Sequence, residues 1–318
     1  MTKHDLTKAS PLLLASAIGV MVATPLLAAV AEPAPQQQNE TLDVSGSVAA
    51  GIEYNDNLSV TELETAAGTG DTAATLEANA DVNWQAGENT SVAGGYSFSG
   101  SRYQDVDAFD LDLHLLYADV SHDFALLTLG ANYYFADARL GGDSFLELNQ
   151  YSLYAGKLFA DAWYLRGALN FTDKQFDVFD VRDADNEGFS TDLYRFFNAG
   201  RSNVMLGYAY EDEDTRGPAF DYSADTLRLR LNHRFTLMER SARVLLGYRW
   251  QDRDYANATP AIGVPRDDSQ RVVEAQFEVD VIENLALTAG WEYGDYDSRL
   301  PSADFTANRV AMAMRLSF

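Results

Sequence analysis

The chain has 318 residues, no cysteine, and 48 acidic against 23 basic residues, for a net charge of −25. The absence of cysteine excludes disulfides and thiol chemistry. The acidic balance, without a basic stripe, argues against a nucleic-acid partner.

Residues 1–31 read as a secretory signal peptide. Lys3 and Lys8 precede an apolar run from Pro11 to Ala31, and Ala29-Val30-Ala31 fits a small-x-small cleavage site before Glu32. An uncleaved amino-terminal anchor is the other reading of that run. Residues 32–40 form a polar leader with two prolines. Beyond residue 31 no apolar run reaches the roughly 18 residues of a transmembrane helix.

From residue 41 to the end, period-2 alternation recurs in about fourteen segments. The first, 42–54, puts Leu42, Val44, Val48, Ile52 and Tyr54 on one face and Asp43, Ser45, Ser47 and Glu53 on the other. In 74–85, Leu76, Val82 and Trp84 alternate with Glu77, Asn79, Asp81 and Asn83. Segments follow at 91–103, 109–120 and 124–135. In 109–120, Leu111, Leu113, Leu115 and Tyr117 are assigned outward, with Asp110, Asp112 and His114 inward. Segments 145–157 and 188–197 have mixed parity, and a bulge is expected to reset the register of the former. The rest lie at 162–172, 203–211, 223–235, 242–251, 270–280, 285–294 and 309–318. An even number of strands suits an all-β, antiparallel up-and-down transmembrane β-barrel.

Connections alternate in length. Short turns such as Gly87-Glu88-Asn89-Thr90 and Ile282-Glu283-Asn284 follow even segments. Long loops, expected at 55–73, 100–108, 136–144, 173–187, 212–222, 252–269 and 295–305, follow odd ones. This asymmetry matches short periplasmic turns and longer external loops, with both ends of the chain periplasmic. Gly-aromatic-x-aromatic recurs before long loops, as Gly95-Tyr96-Ser97-Phe98, Gly207-Tyr208-Ala209-Tyr210, Gly247-Tyr248-Arg249-Trp250 and Gly290-Trp291-Glu292-Tyr293. Rings at one height on the lipid face form an interfacial girdle. A soluble β-sandwich would explain the alternation but not the loop asymmetry.

The inward positions give the candidate pore lining: Glu77, Asp81, Asp110, Asp112, His114, Arg228, Arg230, Arg243, Arg249, Glu274, Glu278, Arg309 and Arg315. Opposed charges of this kind either set a transverse field that tunes selectivity or satisfy each other across neighbouring strands, as Arg243 and Arg249 could with Glu274 and Glu278. On the seam, Arg309 and Arg315 are expected to face Asp43 and Glu53. His114 is the histidine expected in the lumen, and no serine is specifically placed beside it, so no enzyme activity is expected. Acidic loops, with Asp177, Asp180, Asp183, Asp185 and Glu187 in the fourth, concentrate cations but show no EF-hand spacing. No cofactor motif or metal site is expected. No loop is long enough for a large inward plug.

The last segment, Arg309 to Phe318, alternates Val310, Met312, Met314, Leu316 and Phe318 with polar or small residues and ends on an aromatic. It resembles the closing strand of bacterial outer-membrane barrels, in which that end is the assembly signal. Gly51-Ile52-Glu53-Tyr54-Asn55-Asp56-Asn57 resembles the opening motif of the outer-membrane β-barrel porins of exopolysaccharide and other export loci, with Asn55 in place of an Asp. The final hairpin, Tyr293 to Phe318, is similar to that group and to the barrel domain of surface-lipoprotein assembly modulators. The modulators carry helical repeats where this chain has the short leader.

These resemblances support membership of the outer-membrane barrels, and the chain as a whole reads as a monomeric barrel whose expected partners are outer-membrane lipid, the barrel assembly machinery and small hydrophilic solutes. Two functions remain open: a channel for passive or facilitated passage of such solutes, cationic ones or saccharides among them, and a structural, surface-export or adhesive barrel with a filled lumen and acidic loops.

Overall fold

A computed structural model describes residues 41–318. The signal peptide and the polar leader lie outside the described residues. Fourteen strands close into one antiparallel barrel. They are β1 Thr41–Asn55, β2 Asp71–Gln85, β3 Thr90–Tyr103, β4 Leu111–Asp123, β5 Thr128–Leu140, β6 Asp143–Phe159 and β7 Trp163–Phe176. The remainder are β8 Ala184–Phe197, β9 Ser202–Thr215, β10 Tyr222–Leu237, β11 Arg240–Tyr255, β12 Asp267–Ile282, β13 Leu285–Ser298 and β14 Phe305–Ser317. Each pairs with its sequence neighbours, and β14 closes on β1 with Ser47 opposite Ser317 and Asn55 opposite Arg309. Beyond the last strand, the Phe318 backbone exchanges two hydrogen bonds of 2.9 Å with Gly46. Closure leaves no free sheet edge, which a spanning sheet requires because lipid cannot satisfy exposed backbone groups.

The polarity is inverted relative to a soluble protein. Leu42, Ile52, Leu153, Leu169, Leu206 and Met312 lie exposed on the outer surface, the first at 66 %. Charged and amide side chains such as Arg228, Gln251, Asp192 and Gln150 are buried inside. A continuous apolar exterior on a closed barrel is the surface a bilayer covers. Tyr96, Tyr248 and Trp291 of the Gly-aromatic repeats are on this outer face. Their glycines face inward and leave room for charge: a Cβ on Gly207 would stand 2.5 Å from the Asp192 carboxylate, and one on Gly247 would meet Glu274 at 2.1 Å.

The turn rim is tight. Ala160-Asp161, Asn198-Ala199 and Met238-Glu239 all have positive φ, the turn geometry that matches the twist of flanking strands. On the other rim the loops are shorter than expected, because the strands run on past the apolar belt. At 136–144, β5 and β6 form a hairpin turning on Gly141 and Gly142, at φ 61° and 89°. The register between them shifts next to Ala138 and Arg139, leaving Phe145 as the bulged residue. From Leu146 onward the register is unbroken, and the mixed parity arises because Leu146 and Leu148 face inward into an apolar cluster while Tyr151 and Leu153 face outward.

Candidate functional site

The inner wall follows from strand register. Residues opposite each other in adjacent strands share a face, so the outward residues of β2 fix the faces of all the others. Glu77 and Asp81 face inward, partly buried, and Asp81 accepts the Tyr117 hydroxyl at 2.8 Å. On β10 and β11 the inward set includes Arg228, Arg230, Arg234, Arg243, Arg249 and Arg253, with no carboxylate among the inward positions of either strand. Arg228 lies opposite Arg249 and Arg234 opposite Arg243. Like charges so placed destabilise a sheet unless partners offset them. The partners come from the next strand but one on either side. Arg228 donates to Asp192 at 3.2 Å, with both side chains buried, and Arg230 lies 3.4 Å from Glu274.

The seam differs in part from expectation. Arg309 lies 3.7 Å from both Glu53 and Glu292, but Arg315 reaches inward to Glu278 and not to Asp43. Glu274 and Glu278 thus pair with Arg230 and Arg315, and neither forms an ion pair with Arg249.

Three expected lumenal residues do not lie in the lumen. Phe98 pairs with His114 and Tyr96 with Leu116, so His114 and Asp112 share the outer face with Tyr96 and Phe98. His114 hydrogen-bonds the Tyr96 hydroxyl at 2.7 Å and packs 5.1 Å from the Phe98 ring. Asp112 takes a bidentate bond from Arg102, at 2.8 and 2.6 Å. Asp110 lies in the loop, where its carboxylate accepts the Tyr103 backbone N–H at 2.7 Å. The adjacent Leu115-Leu116 pair hides the phase of β4. Leu116 and Val120 face lipid, whereas Leu113 and Leu115 face inward into an apolar cluster with Phe145, Leu146, Leu148 and Phe176.

That cluster is completed by a loop. Residues 56–70, between β1 and β2, fold over the barrel mouth instead of standing away from it. The Asn55-Asp56-Asn57 motif fixes the exit. Asp56 accepts from the Asn308 backbone at 2.7 Å and from its side chain at 2.9 Å, Asn57 donates to the Thr306 carbonyl at 2.8 Å, and Asn57 accepts from the Gly68 N–H at 3.0 Å. Leu58 and Val60 are buried, Val60 inside the apolar cluster. A single 3-10 turn, Thr61–Leu63, then presents two acids.

Glu62 lies 3.7 Å from Lys174 of β7, which donates at 2.7 Å to Glu213 of β9. Burial pushes the Glu62 carboxyl up, and the shared lysine does not reverse this. Glu64 sits at φ 53°, a left-handed conformation costly for a side-chain-bearing residue. Its carboxylate receives Arg182 at 3.1 Å, Arg253 at 3.5 Å, Arg266, and the Tyr255 hydroxyl. Burial alone would raise this carboxyl, but Arg182, Arg266 and Arg253 hold it down at about 2. Below the loop lies a cavity of about 40 Å³ bordered by Glu62, Gln150, Asn170, Lys174, Asn186 and Glu211.

The other loops share a device that sequence reasoning missed. Three end a 3-10 turn on an aspartate that accepts a backbone N–H at the end of the preceding strand: Asp110 from Tyr103, Asp183 from Phe176 and Asp221 from Thr215. The recurring Asp or Pro three residues before each aspartate was the available signal.

No family model and no curated protein matches the chain. Solved structures do resemble it in fold. The loop L8 deletion mutant of OmpT, an outer membrane protein of Vibrio cholerae, aligns at TM-score 0.54 and 12 % identity over 88 % of this chain and 99 % of that one. An anion-selective porin from Comamonas acidovorans aligns at 0.52 and 9 % identity over 88 % of this chain and all of its own, 100 %. CdiB from Acinetobacter baumannii aligns at 0.51 and 11 % identity over 86 % of this chain and 60 % of that one. The chain thus has the fold of outer-membrane β-barrel proteins.

Proposed function

We propose that the chain is an outer-membrane channel for small hydrophilic solutes, cationic ones and saccharides among them, narrowed at its outer mouth by the loop 56–70. The carrying observation is the inner wall, where β1–β4 contribute Glu53, Glu77, Asp81 and Asp119 and no inward base, and β10–β11 contribute arginines and no inward acid. This separation sets a field across the lumen that orients water and polar solutes. In this reading the signal peptide directs export, the turn rim and both chain ends are periplasmic, and Phe318 is the end recognised by the assembly machinery. The porins of export loci are the family whose opening motif and final hairpin the chain resembles, with Asn55 in place of an Asp. Catalysis is not part of the reading, because His114 points into the lipid-facing surface.

Single-channel recording in planar bilayers tests it. Steps of conductance that scale with salt are expected, and a barrel that inserts but passes no current would sink the channel. The buried side of the wall, where Gln150, Ser152, Asp192, Arg228 and Gln251 are all less than one-tenth exposed, favours a second reading: a surface barrel with a filled lumen. That reading predicts silent insertion. Deleting Phe318 should abolish accumulation of folded barrel in the outer membrane, scored by heat-modifiable migration; undiminished accumulation would remove the terminal signal.

A further inference from the structure

The mouth loop is held by more cation than one carboxylate needs. Arg182, Arg253 and Arg266 converge on Glu64; Asp268 lies 3.4 Å from Arg266, and Glu62, Glu211 and Glu213 act on Arg253 from farther away. The three arginines reach this point from the fourth loop, from β11 and from the sixth loop, so the cluster belongs to the barrel and not to the loop it holds.

Each guanidinium is also held independently of Glu64. Arg182 lies 4.2 Å from the Phe220 ring centre, Arg253 lies 4.7 Å from that of Tyr222, and Arg266 lies 4.0 Å from that of Tyr255. A ring under the flat face fixes a guanidinium and leaves its edge N–H groups free to bind. Arg253 is further fixed by donating to Gln251 at 3.1 Å. Arg266 is almost fully buried, yet its Nη1 has no hydrogen-bond partner. Three guanidiniums on aromatic supports, a tyrosine hydroxyl and a spare buried donor make a preformed oxyanion site. Glu64 fills it from a loop that can leave without breaking a barrel strand.

We propose that Arg182, Arg253, Arg266 and Tyr255 form a binding site for a small carboxylate-bearing solute, and that Glu64 is an internal stand-in for that carboxylate which closes the mouth until a solute displaces it. A tethered competitor acts at an effective concentration in the millimolar range or above, so the site is weak for solute while Glu64 is present. The strained backbone at Glu64 lowers the cost of its release. The binding site itself does not depend on the channel reading; only the coupling to opening does.

The test uses the full barrel refolded in detergent, titrated calorimetrically with sodium acetate and, separately, inorganic phosphate at fixed ionic strength. Glu64→Gln should bind acetate at least about tenfold more tightly than the parent chain, since its competitor is gone. Replacing residues 58–69 by a short Gly-Ser linker should give the same gain, which guards against a local effect of the single change. Adding Arg266→Met to Glu64→Gln should remove the gain, and Glu62→Gln alone should leave acetate affinity near the parent value. Equal acetate affinity in the parent, Glu64→Gln and the linker variant would overturn the site. Phosphate binding Glu64→Gln tenfold more tightly than acetate would overturn the carboxylate assignment. In bilayers, acetate should raise the open fraction of the parent channel and not of Glu64→Gln. Binding without conductance would count against the channel alone, and conductance without binding against this site alone.

Discussion

The two sides of the inner wall solve the problem of charge inside a barrel differently. On β10 and β11, Arg228, Arg243 and Arg253 are buried, and Arg228 and the half-buried Arg230 are each matched to a carboxylate on another strand. On β2, Glu77 and Asp81 are partly exposed, and Asp81 is held by a tyrosine hydroxyl and not by a cation. A buried pair is costly to break because the remaining partner is stranded in low dielectric. A half-buried carboxylate that forms no ion pair leaves no charged partner stranded when it is neutralised. The arginine side therefore carries the architecture, and the acidic side is the one free to act on solute.

The largest effect that would test this difference is on the arginine side. Arg228→Met leaves Asp192 buried and unpaired, and breaking a buried pair costs about 3–5 kcal/mol. Urea unfolding of the refolded barrel should show that loss, and Arg228→Met with Asp192→Leu should recover much of it. If Arg228→Met proves neutral, the pair is not structural and the contrast fails.

An intermediate effect is expected at the mouth. The Glu64 carboxyl is lowered from 4.5 to about 2. A depressed acid contributes stability that is present above its unfolded value and is lost as pH falls through the folded one. Loop docking should not weaken from pH 8 to about 5, because the raised Glu62 carboxyl acts in the opposite sense, and should be lost on the way down to about 2, with about 3 kcal/mol at stake by linkage at Glu64. Protection of the Leu58 and Ala67 amides, which bond the Thr69 and Leu58 carbonyls, reports it under hydrogen exchange. Loss of protection between pH 8 and 6 would mean that another group holds the loop.

The same contrast marks what could be read in the chain. Strand number, closure of β14 on β1 and the outward sets of β1 and β2 follow from period-2 alternation, a local property. Alternation assigns two faces but does not say which one is wet. Leu113 and Leu115 face inward because Val60, over fifty residues earlier, arrives to cover them. That contact is non-local, so alternation alone places His114 and Asp112 on the wrong face with them, and Asp110 belongs to the loop. Gly141-Gly142 was a legible hairpin signal, masked by the Phe145 bulge. The inward course of residues 56–70 depends on arginines contributed by three distant segments, and no spacing within the loop encodes them.

The smallest effect is the one that bears most directly on transport. Neutralising Glu77→Gln and Asp81→Asn together removes two negative charges from the half-buried acidic wall and leaves the buried pairs intact. Stability should change by about 0.5 kcal/mol or less, as at other sites outside tightly packed networks. Reversal potentials in a salt gradient should nonetheless shift toward anions, because a fixed charge at the pore surface sets the local concentration of mobile ions. The shift should shrink as ionic strength rises, since the screening length falls from about 10 Å at 0.1 M to about 3 Å at 1 M. A shift independent of salt would place these carboxylates away from the conducting path. An unchanged reversal potential at low salt would mean that Glu77 and Asp81 merely line the lumen and do not set its selectivity.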